Sequence, residues 1–226
     1  MNRTDPNVPH VHGADPQHLF PKIIRERCYE SAFWKEHLLG FPLDSVYEKT
    51  EKLVYIGGCF ANQRPSPFLC CALKLLQLGC RGFDERLLSS QNKYACMLGL
   101  FLFRLTHERT YEQIYLKLEP FLADRRRLKW QLSDGTFVIK HVDEYVEELL
   151  GYHLPPGEIV KVCDIVMPRI PSRAHFVRLG VLEQRSIDDT VFKEAPIADD
   201  PTEKDETQSD NQVPKTSKKK KEKWRL

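Results

Sequence analysis

Residues 66–79 read SPFLCCALKLLQLG, and this stretch decides the architecture. Ser66 is a helix N-cap acceptor, and Pro67 suits the first helical position because its missing N–H has no partner there in any case. Phe68, Leu69, Ala72, Leu73, Leu75 and Leu76 then crowd most sides of the helix, and Gly79 stops it. A helix that is apolar on most sides belongs at the centre of a fold, not on its surface.

Working outward, the same rhythm recurs. Tyr94, Met97, Leu98, Phe101, Leu102 and Leu105 predict a second buried helix. Upstream, Asp15-Pro16 repeats the start signal for a helix carrying Leu19, Ile23, Ile24, Tyr29, Phe33 and Trp34. That helix has room for a break and is punctuated by Gly40 and Pro42. A further helix is expected over 44–53, ended by a tight turn at Gly57-Gly58. Thr110 and Gln113 have capping-box spacing ahead of Ile114, Leu118, Phe121 and Leu122, with a kink or restart at Pro120. Leu128, Trp130 and Leu132 alternate, Asp134-Gly135 reads as a two-residue turn, and Phe137 and Ile139 alternate back, which predicts a hairpin. Helices are then expected over 141–150, with Gly151 at its end, over 159–167, closed by Pro168, and over 172–182.

The fold class predicted is all-α: one mainly helical domain over 1–182 with a single small β hairpin, followed by a disordered tail over 183–226. Residues 1–14 are polar and read as a flexible arm. The tail is poor in apolar residues and has no periodicity. It also changes sign. Residues 188–210 hold nine acidic and two basic side chains, and residues 211–226 hold seven basic and one acidic.

The 226 residues carry a formal net charge of only +2, so the overall balance does not single out nucleic acid as a partner. The seven cysteines are odd in number and never stand at Cys-x-x-Cys spacing. They read as reduced thiols filling the core of an intracellular protein, not as a disulfide framework or zinc site. No apolar run approaches the roughly 18 residues of a membrane span, and the N-terminus has no secretory apolar segment.

No nucleotide loop or nucleophile arrangement appears, so no catalytic residue, cofactor, metal or small-molecule substrate is expected. His141, Asp143, Glu144, Glu147 and Glu148 fall within two helical turns. Acidic residues favour a helix start through the helix dipole, and Glu144, Glu147 and Glu148 are candidate contacts for a basic partner. Arg125, Arg126, Arg127 and Lys129 are the densest charge of the body, suited to an acidic peptide or a phosphate backbone. One or two of them are expected to touch a partner and the others to be solvated. Lys218, Lys219, Lys220, Lys221, Lys223 and Arg225 form a nuclear-import type of cluster.

Ordered blocks along the body resemble the pre-mRNA-splicing factor 38 family. They include His12-Gly13, Asp15-Pro16-Gln17, Lys22-Ile23-Ile24-Arg25, Tyr29-Glu30-Ser31, Gly57-Gly58, Pro67-Phe68-Leu69-Cys70 and Leu73-Lys74-Leu75-Leu76-Gln77. Arg104-Leu105-Thr106, Leu118-Glu119-Pro120, His141 to Tyr145, Glu148-Leu149-Leu150, Val162-Cys163-Asp164-Ile165 and Met167-Pro168-Arg169 continue the order. The resemblance implies a nuclear, non-enzymatic scaffold of the spliceosome, associated with the U4/U6.U5 tri-snRNP and required for splicing and spliceosome activation. It implies a helical domain that holds other splicing proteins, among them a zinc-finger protein and a long helical partner of the microfibrillar-associated type. The alternative is an RNA-binding module of the same complex, with weak or indirect RNA contact through the arginine run and lysine tail. The chain lacks the arginine/serine repeats of animal members, and its 151–161 segment is longer than usual.

Overall fold

The computed structural model describes residues 2–61, 63–79, 85–155 and 157–183. Residues 184–226, which hold most of the expected tail with its acidic stretch and lysine cluster, lie outside the described residues, as do Asn62 and Cys80.

In chain order the helices are α1 (Lys22–Glu30), α2 (Ala32–His37), α3 (Leu43–Thr50), α4 (Pro67–Gln77), α5 (Glu85–Leu88), α6 (Lys93–Thr106), α7 (Glu112–Leu118), α8 (Val142–Leu150) and α9 (Arg173–Arg178). The strands are β1 (Ile56–Gly57), β2 (Cys59–Phe60), β3 (Arg64–Pro65), β4 (Arg127–Gln131), β5 (Phe137–His141), β6 (Lys161–Val162) and β7 (Ile165–Val166). Short 3-10 turns, Pro16–Leu19 and Glu119–Ala123, precede α1 and follow α7.

The centre is α4 against α6. The Ser66 hydroxyl accepts the Leu69 N–H at 3.2 Å and donates to the Gly57 carbonyl at 2.6 Å, so one cap also anchors β1. Every residue from Phe68 to Gln77 is buried, and so is every residue of α6 from Ala95 to Thr106. Phe101 meets Phe68 at 5.7 Å and Phe20 at 6.5 Å, both edge-on. Each such ring contributes about 1.5–3 kcal/mol by leaving water.

The expected first helix is three pieces. Pro21 removes a donor before α1, and Ser31, in an extended conformation, ends α1 and caps α2 through the Trp34 N–H at 3.2 Å. Trp34 is fully buried, while Phe41 is partly exposed, so the aromatic group of this region divides between core and surface. The Thr110–Gln113 capping box does not form. Helix α7 starts at Glu112, and the Thr110 hydroxyl lies 2.9 Å from His107 Nε2 instead. Residues 2–14, read as a flexible arm, are mostly exposed but touch the body: the Asp5 N–H donates to the Gln77 carbonyl at 2.9 Å, and Val11 is buried.

The fold is mostly helical but not strictly all-α, because the described residues hold three small sheets where one hairpin was expected. The three-stranded sheet has the order β1-β4-β5, with β1 parallel to β4 (Ile56 opposite Trp130) and β5 antiparallel (Gln131 opposite Phe137). Gly57 therefore sits in a strand. A glycine pair signals a turn locally, but β4 pairs with it from far along the chain. The helix expected over 159–167 is the hairpin β6–β7, turned by Cys163 and Asp164 at φ +51° and +66°. That left-handed pair stops a helix, and the β-branched residues around it suit strands.

The β4–β5 connection is also not a two-residue turn. The Gly135 N–H donates to Leu132 O at 3.0 Å, and the Leu132 N–H donates to Thr136 O at 2.9 Å. Ser133-Asp134-Gly135 is thus a three-residue loop with Gly135 alone at positive φ, +92°. Phe137 and Ile139, taken from the sequence as the hairpin's returning apolar face, point outward and are 44% and 66% exposed. The core face of β4 is Leu128 and Trp130.

Candidate functional site

The arginine run follows the Glu119–Ala123 turn and continues into the first half of β4, directly against the start of α8. The Val142 N–H donates to Arg126 O at 3.1 Å, and the Asp143 N–H donates to Asp124 O at 3.2 Å. Two of the run's cations are engaged inside the molecule. Arg125 hydrogen-bonds Asp143, whose side chain is largely buried. Arg126 grips Asp124 through Nε at 2.8 Å and a terminal nitrogen at 2.7 Å. Hydrogen bonds from Arg126 hold the Asp124 carboxyl below its ordinary value. Arg127 and Lys129 alternate with core residues along β4 and face solvent.

The acidic candidates on α8 are paired as well. Glu144 accepts the His141 N–H at 2.9 Å, closing the helix start, and this bond holds its carboxyl low. Glu147 meets His153 at 3.0 Å, and Glu148 pairs with Lys140, whose ammonium also sits 4.0 Å over the Trp130 ring. The structure thus brings the basic run and the acidic helix together, but as one another's neighbours and not as one open site. Among the described residues no group of three His, Cys, Asp or Glu side chains could hold a metal ion, and no described helix is long and apolar enough to cross a membrane.

The thiols are core residues. Cys28, Cys70, Cys71, Cys96 and Cys163 are buried. Hydrogen bonding with Cys70 and burial push the Cys28 thiol up, and burial raises Cys71 and Cys163 and takes Cys96 to about 11. The raised values of Cys28, Cys71, Cys96 and Cys163 disfavour the thiolate and leave these four poor nucleophiles.

Sequence reasoning missed the long-range polar latches. Asp164, at the β6–β7 turn, accepts the Cys59 N–H at 2.7 Å, and a Cβ on Gly58 would lie 2.3 Å from its Oδ2. Arg104, buried in α6, donates from Nε to Leu149 O at 3.1 Å and from a terminal nitrogen to Pro168 O at 2.7 Å. Burial lowers its pKa to about 10. Tyr29, Gln17 and Gln77 share hydrogen bonds of 2.9–3.2 Å. Arg173 meets Glu119 at 2.6 Å with both side chains nearly buried. All of these partners except Arg173 lie in or beside a sequence block already quoted. The blocks hold one another, and the signal that could have found this was their order with polar residues set among apolar ones.

A cleft of about 260 Å³ lies among α2, α3 and the segment leading into β1, floored by Phe33, Leu53, Tyr55 and Pro67. Tyr55 also stands edge-on to Phe137, ring centroids 5.2 Å apart, so one residue of the cleft lining touches the outer face of the sheet. Lys129 lies 4.0 Å over that Phe137 ring.

The model of the PRP38 family matches residues 9–179. The chain belongs to the PRP38 family. Over 187 residues, 81% of this chain, it is 39% identical to pre-mRNA-splicing factor 38 of Arabidopsis thaliana and 39% identical to pre-mRNA-splicing factor 38A of Mus musculus. These alignments cover 50% and 57% of the two relatives, so this PRP38-family chain spans about half the length of the curated relatives it matches. Its fold is similar to a chain in the crystal structure of the Snu23-Prp38-MFAP1(217-258) complex of Chaetomium thermophilum. The TM-score is 0.66 at 33% identity, covering 78% of this chain and 90% of that one.

Proposed function

We propose that this PRP38-family chain is a nuclear scaffold of the spliceosome that works by holding other splicing proteins and catalyses no reaction. The observation that carries the reading is the match across most of the body to a chain crystallised with Snu23 and MFAP1. Its partners here are a Snu23-type zinc-finger protein and a microfibrillar-associated helical protein. Its place is the tri-snRNP, and its role is in splicing and spliceosome activation. The paired state of the acid–base candidates on α8 agrees with a surface role. Of the predicted contact residues, Arg127 and Lys129 are the cations left facing solvent on β4, and we assign them to a partner. The cluster of Lys218 to Lys221 with Lys223 and Arg225 directs nuclear entry.

The test is affinity capture with the full chain from nuclear extract of its own organism, with the bound proteins identified. Recovery of the Snu23 and MFAP1 counterparts with tri-snRNP proteins is expected. Their absence, with the bait folded by circular dichroism, would refute the scaffold reading. A fluorescent fusion that stays nuclear after replacement of Lys218 to Lys221 by alanine would remove the import role alone.

A further inference from the structure

The cleft beside α3 has a chemistry of its own. Its floor is apolar and partly aromatic, and the two lysines on its rim, Lys49 and Lys52, form no ion pair with any described residue. His37 completes the rim, 3.9 Å from Glu36, and among the described residues no carboxylate lines the cleft. Val54, on the same lining, is 62% exposed. Through Tyr55 the cleft joins Phe137 and Ile139 on the outward face of the sheet, where Lys129 supplies another cation. Contiguous exposed apolar surface with a charged rim marks a site of interaction.

We propose that this continuous surface, the cleft together with the outer face around Phe137, docks an acidic peptide segment bearing an aliphatic or aromatic anchor. The anchor side chain enters between Phe33, Leu53 and Tyr55, and carboxylates on either side of it meet Lys49, Lys52 and Lys129. Charge decides the occupant. A rim of unpaired ammonium groups repels a basic segment and leaves a neutral one without compensation for the desolvated lysines. The floor offers little to sequence-specific RNA recognition: reading an unstacked base takes groups that hydrogen-bond its edge, and the floor is mostly carbon surface with one tyrosine. Binding energy concentrates in a central apolar anchor, and the surrounding charges govern encounter and selectivity. The inference rests on the scaffold reading and locates one docking surface for it.

The test uses the full chain and a displayed library of random 16-residue peptides. Selected peptides are synthesised with a fluorophore and titrated by anisotropy against the native chain, Lys49→Glu/Lys52→Glu and Val54→Asp. A labelled 15-nucleotide uridine RNA is titrated in parallel. Each variant is first checked for a native circular dichroism spectrum and melting temperature. Val54 and Lys52 are exposed and Lys49 is half-buried, so the fold should survive, and Lys49→Gln/Lys52→Gln serves as the milder second variant.

Selected peptides should be acidic with Phe, Leu or Trp, and their affinity should fall about tenfold or more in both charge-changed and anchor-changed variants. Their binding should also weaken as salt rises. Selection of basic or uncharged sequences, or equal binding by native chain and variants, would overturn the proposal. RNA binding that disappears with the lysine reversal would overturn it too, giving the surface to nucleic acid. If the variants still capture the Snu23 and MFAP1 counterparts but lose the selected peptides, the docking surface stands and serves another partner. If the native chain captures neither counterpart, the scaffold reading fails independently.

Discussion

The guanidinium of Arg125 hydrogen-bonds Oδ2 of Asp143, tying the head of the arginine run to the first turn of α8. Asp143 is a buried residue, and its other oxygen, Oδ1, has no partner among the described residues. Arg125 is therefore part of the fold even though its own side chain is largely exposed. Arg125→Ala should cost about 1–3 kcal/mol, because it leaves a buried acceptor without its donor. Lys129→Glu, on the open face of β4, should stay within about 0.5 kcal/mol of the native chain. Urea denaturation midpoints of the two variants check this, and equal midpoints would show that the Asp143 contact contributes nothing.

A second latch joins segments more distant in sequence. Gly58 leaves space that Asp164 fills, and the Asp164 carboxylate accepts the Cys59 N–H at 2.7 Å. Gly58→Ala should destabilise the body, and Asp164→Ala should do so too. The two effects should not add: with the carboxylate gone, most of the clash with the new methyl is relieved. A double-mutant cycle is expected to give a coupling of at least about 0.5 kcal/mol. Strict additivity would mean that the β6–β7 hairpin does not press on this loop.

The loop Ser133-Asp134-Gly135 needs its glycine at φ +92°. A β-branched residue at this backbone conformation is strained by about 1–3 kcal/mol, so Gly135→Val should lower the thermal midpoint. Gly135→Asn should be milder, since asparagine tolerates left-handed geometry. Identical melting of the two variants would argue for a different turn.

Asp124 supplies a pH signature. Hydrogen bonds from Arg126 hold its folded carboxyl below the ordinary value of 3.8. A depressed folded value means that the stability it contributes is present above the unfolded value and is lost as pH falls through the folded one. Arg126→Gln should therefore lower stability at neutral pH and flatten the loss of stability below about pH 4. Parallel urea titrations of both proteins at neutral and acid pH measure this. Curves separated by the same amount at every pH would place the effect of Arg126 elsewhere.

Local sequence determined the parts of this protein whose causes are local. The caps at Ser66 and Asp15, the apolar faces of α4 and α6, and the Gly151 stop of α8 each depend on residues within a turn or two, and their chemistry is readable in place. The ordered blocks also carried the family, because a fold imposes its requirements at many positions at once. Tertiary structure alone decided the rest. Whether Gly57 turns or pairs depends on Trp130 and Gln131, and whether 159–167 coils or folds back depends on a left-handed pair latched at Cys59. Asp124, which holds Arg126, stands beside the run in sequence, but the partner of Arg125, Asp143, is on another element and is set against it only by folding. The cleft beside Lys49 and Lys52 is invisible in the chain, since its floor is assembled from Phe33, Leu53, Tyr55 and Pro67, which only folding brings to one place. Pairing partners and concave surfaces are properties of chain return, and no local pattern encodes where a chain returns.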